Sequence, residues 1–351
     1  MKIEVYSPTI RRKEMDAVLT AMVEDRIGPG ERSRLLLQTA KEQLRFDFAI
    51  ALRSPAIALH LALKALDIKD GDSVLISALS PRYYAQVLAD LRLVPLYCDV
   101  SFSFPCINRE SIEKAISSKP SGVHPRCIVL HHTLGYLPDT ASITDLGIPI
   151  IEDISQSYSV PSSEQDKDSV NVQPVRGVFT ILGLEERDML TSGGGALLFA
   201  VNRKDGSLLR AYANIPAEYC LPDINAALAT VQFREAVRNM ARRREIAQVY
   251  TQASLSTAHK RFVPLDSVEY NNYAFSLVLE TGMKDVAAYA RKKEIIVENA
   301  FEQSLAGSGT GNLAECPASY SLSLRTVLFP LYPRLHSQDV QRVSRLITTL
   351  P

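Results

Sequence analysis

The chain carries no excess of either charge: 39 Lys and Arg balance 39 Asp and Glu over 351 residues. A nucleic-acid or anionic-membrane surface needs concentrated basic groups, so the expected partner is a small molecule or another protein. Long apolar runs are also missing. No stretch approaches the roughly 20 apolar residues that span a bilayer, and Met1 to Tyr6 lacks the apolar centre of a secretion signal. A cytoplasmic location with no membrane contact is the expectation. Cysteine is sparse and irregularly spaced. Cys98, Cys106, Cys127, Cys220 and Cys316 are odd in number and form no CxxC pair, which argues against a disulfide framework or a zinc site and predicts buried free thiols.

What is present suits a globular protein with one large core and a smaller second one: 46% of residues are hydrophobic and 22% charged, with no internal repeat. Short β-rich runs at Ser73 to Ile76, Cys127 to Leu130 and Ile148 to Ile151 alternate with helical patterns at Ala56 to Leu66, Arg82 to Leu91 and Arg109 to Ile116. That alternation predicts βαβ units around a mainly parallel sheet flanked by helices. Gly195 to Ala200 reads as a strand entered from a glycine turn, and Asp223 to Tyr250 as long helical structure leaving the first domain. The expected division is a large α/β domain over residues 1–245, including an N-terminal arm, and a small α+β domain over 246–351. In the latter, Tyr273 to Leu279 predicts a strand, with helices over Met283 to Lys293 and Ser337 to Thr348.

One carboxylate stands out. Asp153 follows the apolar run Ile148 to Ile151, and ligand groups gather at the carboxyl ends of strands in parallel α/β sheets. The same position suits a residue that ends a strand or caps the next helix. Spacing alone leaves both readings open.

Several motifs occur in a characteristic order: Ala58 to Leu66 with Gly71 to Ile76, His132-Thr133-Leu134-Gly135, Ile150 to Gln156, Gly193-Gly194-Gly195-Ala196, Ile224 to Leu228, Arg242 to Ala247 and Phe329 to Pro333. Together they resemble the DegT/DnrJ/StrS family of sugar aminotransferases. The resemblance implies a fold type I dimer that holds pyridoxal phosphate (PLP) as a Schiff base and aminates nucleotide-linked keto sugars. It also implies roles for particular residues: Asp153 beside the pyridinium nitrogen, Gln156 beside the ring oxygen and Ser54 at the phosphate.

Against that pattern the chain departs where the cofactor should be held. The family lysine aligns with Arg187, or with Glu186 if the loop is one residue longer, and no lysine lies between Lys167 and Lys204. A guanidinium stays protonated and is a poor amine nucleophile, so no catalytic residue is assigned here. Arg187 is expected either as a solvated loop charge or as a guanidinium occupying the old amine position. The family Gly-Thr before the first helix becomes Pro55-Ala56, which removes a backbone donor and a hydroxyl, although Ser54-Pro55 also reads as an ordinary N-cap and first helical residue. Leu182 replaces a phosphate-binding serine, and the ring-stacking aromatic falls at Pro81, with Tyr83 and Tyr84 as substitutes. The subunit-bridging Asn-Tyr-Arg becomes Glu218-Tyr219-Cys220. Histidine, which replaces the lysine in PMP-dependent dehydratases of the family, is missing between His132 and His259, leaving His131 and His132 as the substitutes.

Three readings follow. The first is a non-catalytic homologue, expected as a homodimer or as a heteromer with an active paralogue, working in nucleotide-sugar or surface-polysaccharide synthesis. The second is an active PLP-dependent aminotransferase using another lysine. The third is a nucleotide-sugar or anion binder anchored by Arg53, Arg82 and Arg187.

Overall fold

A computed structural model describes residues 2–118, 124–160, 177–212, 214–265, 270–280, 282–310 and 314–351. Seven strands form the main sheet: β1 (Phe48–Leu52), β2 (Ser73–Ser77), β3 (Val94–Cys98), β4 (Pro125–His131), β5 (Ile150–Asp153), β6 (Phe179–Gly183) and β7 (Ala196–Ala200). Their order is β1-β7-β6-β5-β4-β2-β3, with β7 antiparallel to both its neighbours and the other pairs parallel. The strands are short and apolar because both faces are covered, so alternate side chains enter different cores. In β7, Ala196, Leu198 and Ala200 join one cluster with Ile151 and Ile181, while Leu197 and Phe199 join another with Leu182 and Phe233.

Helices α1 (Arg12–Val23) and α2 (Glu31–Leu44) precede the sheet, α3 (Pro55–Ala65), α4 (Tyr83–Asp90), α5 (Arg109–Ser117) and α6 (Thr140–Thr144) connect its strands, and α7 (Arg203–Arg210) follows β7. The predicted strands and helices from Ala56 to Leu130 fall within these elements to a residue or two at each end. Four of the five cysteines are buried and all are free thiols; Cys220 is half-buried.

Helix α8 (Asp223–Ser254) is 32 residues long. Ala226, Phe233 and Ala236 pack on the large sheet, and Ile246, Ala247 and Tyr250 pack in a second core around strands β8 (Phe275–Val278), β9 (Glu298–Asn299) and β10 (Thr326–Phe329). These three form a sheet ordered β8-β10-β9. The expected boundary at residue 245 therefore lies inside an unbroken helix. Helices α9 (Met283–Lys292), α10 (Leu305–Ser308), α11 (Pro317–Arg325) and α12 (Ser337–Thr348) complete this half. Val340, Val343, Leu346 and Ile347 form the apolar stripe of α12 at three- and four-residue spacing. The N-terminal arm is divided between the halves, for Ile3 bridges to Ile295 and belongs to the smaller core. No described helix is long and apolar enough to cross a membrane.

Candidate functional site

Asp153 ends β5 opposite His131 of β4, and is 1% exposed. Its Oδ2 accepts hydrogen bonds from the Tyr84 phenol at 2.6 Å and the Tyr83 phenol at 3.2 Å, while Oδ1 accepts from the Ser155 N–H at 3.0 Å and from the Ser155 hydroxyl. Four donors meet a carboxylate with about four acceptor sites, so it is fully engaged. Burial, reinforced by the adjacent Asp153 charge, pushes both phenols well above their ordinary range and keeps them protonated as donors. Tyr83 and Tyr84 thus stand against the carboxylate that the resemblance assigns to a pyridinium nitrogen.

The neighbouring loop tightens this arrangement. Ser155 Oγ also accepts from the Gly183 N–H at 2.7 Å, and a Cβ at Gly183 would run into Ser155 Oγ and the Asp188 carboxylate. Half-buried Asp188 accepts from the Glu185 N–H at 2.8 Å. Burial, with smaller contributions from the charges of Asp153 and Glu185, raises its carboxyl to about 7. The Ser192 to Gly195 turn then leads into β7, with Gly193, Gly194 and Gly195 all at positive φ. The Leu184 carbonyl accepts from the Ser192 and Gly194 N–H groups.

The other assigned residues are occupied by the fold. Gln156 Oε1 accepts from the Leu134 N–H at 2.7 Å, supporting a left-handed residue with φ of 54°. Ser54 Oγ caps α3 by accepting from the Ile57 N–H at 3.3 Å, with Pro55 at the first helical position. Leu182 lies fully buried within β6. Glu218 sits exposed in a 3-10 turn over Ala217–Tyr219. Arg53 and Arg82 are exposed.

Arg187 is an exposed loop charge, as the first of the two expectations has it, but it is paired across the molecule. Its guanidinium reaches Glu298 of β9 at 2.6 Å and lies 6.0 Å from the Tyr6 ring. The Arg187 carbonyl accepts from the Tyr273 hydroxyl at 2.9 Å, and the Tyr6 hydroxyl donates to the Glu186 carbonyl. The loop is therefore held to the smaller half and to the N-terminal arm, contacts that sequence spacing does not reveal because the partners are 86 to 180 residues away.

Both substitute histidines come close to Asp153 in the fold without being free to act on it. His131 lies edge-on to Tyr84, with Nδ1 3.1 Å from Thr133 Oγ1; burial lowers it to about 4, so it is neutral at pH 7. His132 lies between Ser157 (Nδ1 to Oγ, 2.8 Å) and Glu152 (Nε2 to Oε2, 3.4 Å). Sequence reasoning missed this Ser-His-Glu chain, but all three groups are 1% exposed or less, so no substrate reaches them.

Among the described residues, then, no lysine amine hydrogen-bonds or ion-pairs with Asp153. Lys204 is exposed on α7, and Lys167 lies outside the described residues. The carboxylate, amide and hydroxyl that the resemblance assigns to the PLP ring nitrogen, ring oxygen and phosphate all have internal partners. No group of His, Cys, Asp and Glu among the described residues could hold a metal ion.

The seven-stranded sheet with its long linking helix and second small sheet is the architecture of fold type I PLP-dependent transferases. The model of the DegT/DnrJ/EryC1/StrS aminotransferase family matches residues 8–176 and 200–348, and the chain belongs to that family. The unmatched stretch between those segments is residues 177–199, which contains β6, Arg187 and the triple glycine.

Among curated relatives, the dTDP-4-dehydro-2,3,6-trideoxy-D-glucose 4-aminotransferase of Saccharopolyspora spinosa is 22% identical over 97% of this chain and 95% of its own. The L-glutamine:2-deoxy-scyllo-inosose aminotransferase of Streptomyces lividus is 26% identical over 63% of this chain and 56% of its own. The crystal structure of the aminotransferase TlmJ from Streptoalloteichus hindustanus superposes with a TM-score of 0.84 at 19% identity, covering 99% of this chain and 98% of TlmJ. GDP-4-keto-6-deoxymannose-3-dehydratase with bound GDP-perosamine gives 0.82 at 14% identity, over 98% of this chain and all of that one.

Proposed function

We propose that this chain is a non-catalytic member of the family that does not use PLP, and that it serves as a binding or regulatory partner in nucleotide-sugar or surface-polysaccharide synthesis. The observation that carries this reading is the filled carboxylate of Asp153. A pyridinium could reach it only after displacing two phenols, each in a charge-assisted hydrogen bond that contributes on the order of 1.5–3 kcal/mol. Support also comes from Arg187, which cannot form an imine and is engaged by Glu298, and from the family match, which breaks over residues 177–199. We place the protein in the cytoplasm as a homodimer or as a heteromer with an active paralogue. A monomer in light scattering would remove the homodimer.

The test is a PLP titration of the purified chain followed by absorbance, borohydride reduction and peptide mapping. The expected result is no aldimine absorbance and no reduced adduct. An adduct trapped on Lys167 or any other single lysine would overturn the proposal in favour of an active aminotransferase.

A further inference from the structure

Helix α1 is turned the opposite way from an ordinary surface helix, which sends its apolar stripe to the core and its polar face to water. Polar contacts hold it on α8. The buried Glu14 carboxylate accepts from Gln232 Nε2 at 3.2 Å, Lys13 reaches Glu235 at 2.6 Å, and Arg11, just before the helix, donates to Asn239 at 3.2 Å. Besides Glu14, only Ala21 of α1 is buried. The large apolar side chains lie on the other face: Met15, Leu19 and Met22, with Ile27 just beyond the helix, are each more than half exposed, and Val23 is 83% exposed.

At about 3.6 residues per turn, Met15, Leu19, Met22 and Val23 share one side of the helix, and Met15, Leu19 and Val23, spaced four apart, form a single ridge. Helix formation does not require apolar residues there, because Lys, Glu and Gln favour a helix about as well as Leu and Met. Five large side chains so exposed present on the order of 500 Å² of apolar surface, about the size of the largest patch on a typical monomer.

Two features specify a second copy as the cover. The ridge is symmetric about Leu19, so a two-fold axis through Leu19 sets Met15 of one copy against Val23 of the other, an isologous contact with ridges interdigitating at about −50°. Two such faces together also reach the roughly 1,000 Å² that a specific interface needs. The rim charges are compensated within each chain, Arg12 by Asp16 at 3.6 Å and Arg26 by Glu31 at 3.2 Å, so closing the faces leaves neither arginine without a carboxylate.

We propose that the outward face of α1, centred on Leu19, is the surface through which two copies of this chain pair. This rests on the homodimer reading given above and names its contact; it involves no cofactor and is separable from the PLP titration.

The test is sedimentation velocity of the full chain over a concentration series. Wild type is expected at twice the 38.8 kDa chain mass. Leu19→Glu, which brings two carboxylates together on the axis, should weaken pairing by a factor of about one hundred or more with far-UV circular dichroism unchanged. Should that variant fail to fold, Leu19→Cys supplies the second measurement: a short bismaleimide should join two chains of it, above the wild-type background from half-buried Cys220, and should not join chains of Lys284→Cys, an exposed position on α9. A dimer that survives Leu19→Glu, or equal cross-linking of Lys284→Cys, would overturn this surface and leave the homodimer standing. A wild-type monomer would overturn both.

Discussion

Replacing Tyr84 with phenylalanine removes one oxygen from a fully buried ring and takes from Asp153 its shorter phenolic donor, at 2.6 Å. The ring stays in its core among Leu59, Ile76 and Val129, so packing loss is negligible and the hydrogen bond is the whole effect. A hydrogen bond to a charged group contributes about 1.5–3 kcal/mol. At about 2.1 cal/mol/K per residue, unfolding 351 residues near 60 °C carries an entropy of about 0.7 kcal/mol/K, so the calorimetric midpoint should fall by about 2–4 °C. Tyr83→Phe, at 3.2 Å and partly exposed, should cost about half as much. Both phenols serve the same Oδ2, so either one partly covers the loss of the other, and the double variant should lose more than the sum by about 0.5 kcal/mol or more. A Tyr84→Phe midpoint within 0.5 °C of wild type, with strict additivity in the double variant, would refute the view that the phenols satisfy Asp153.

Other expectations follow from the same region. Asp188, whose folded carboxyl is raised to about 7 from 3.8, keeps its proton in the folded state while the unfolded chain releases it, so its contribution to stability falls as pH rises from about 4 to 7 and stays unfavourable above. Asp188→Asn should therefore match wild type below about pH 4 and unfold at higher temperature than wild type at pH 8; a gap that shrinks with rising pH would contradict this. Gly183→Ala forces a methyl onto Ser155 Oγ and the Asp188 carboxylate, and should cost about 1–3 kcal/mol in urea unfolding. Arg187→Ala removes a half-exposed ion pair and should change global stability by no more than about 1 kcal/mol, while raising hydrogen exchange in residues 184–188; a loss well above that would mean the loop is part of the main core.

Much of the scaffold was legible because its signals are local. The apolar runs of β2, β4 and β5, the Ser54-Pro55 start of α3 and the stripe of α12 each lie within a dozen residues. Strand β6 was less so. Its residues read as part of a lysine-bearing loop by resemblance, whereas Phe179 and Ile181 face one core and Leu182 another. Helices α1 and α2 and strands β1 and β3 gave weaker patterns, since α1 exposes Met15, Leu19, Met22 and Val23 and hides little of itself.

At the site the division is sharper. What sequence alone offers there is an expectation from resemblance: an arginine where the family has a lysine, and a leucine and a proline where it has phosphate donors. Those are properties of residue type and need no coordinates. Where the remaining polar groups turned was decided by tertiary structure, because each partner is distant along the chain: Asp153 meets Tyr84, Gln156 meets Leu134, and Arg187 meets Glu298. Arg243 is the extreme case, an ordinary member of an arginine run in sequence that becomes a buried guanidinium held by the carbonyls of Tyr273 and Leu331 only in the fold.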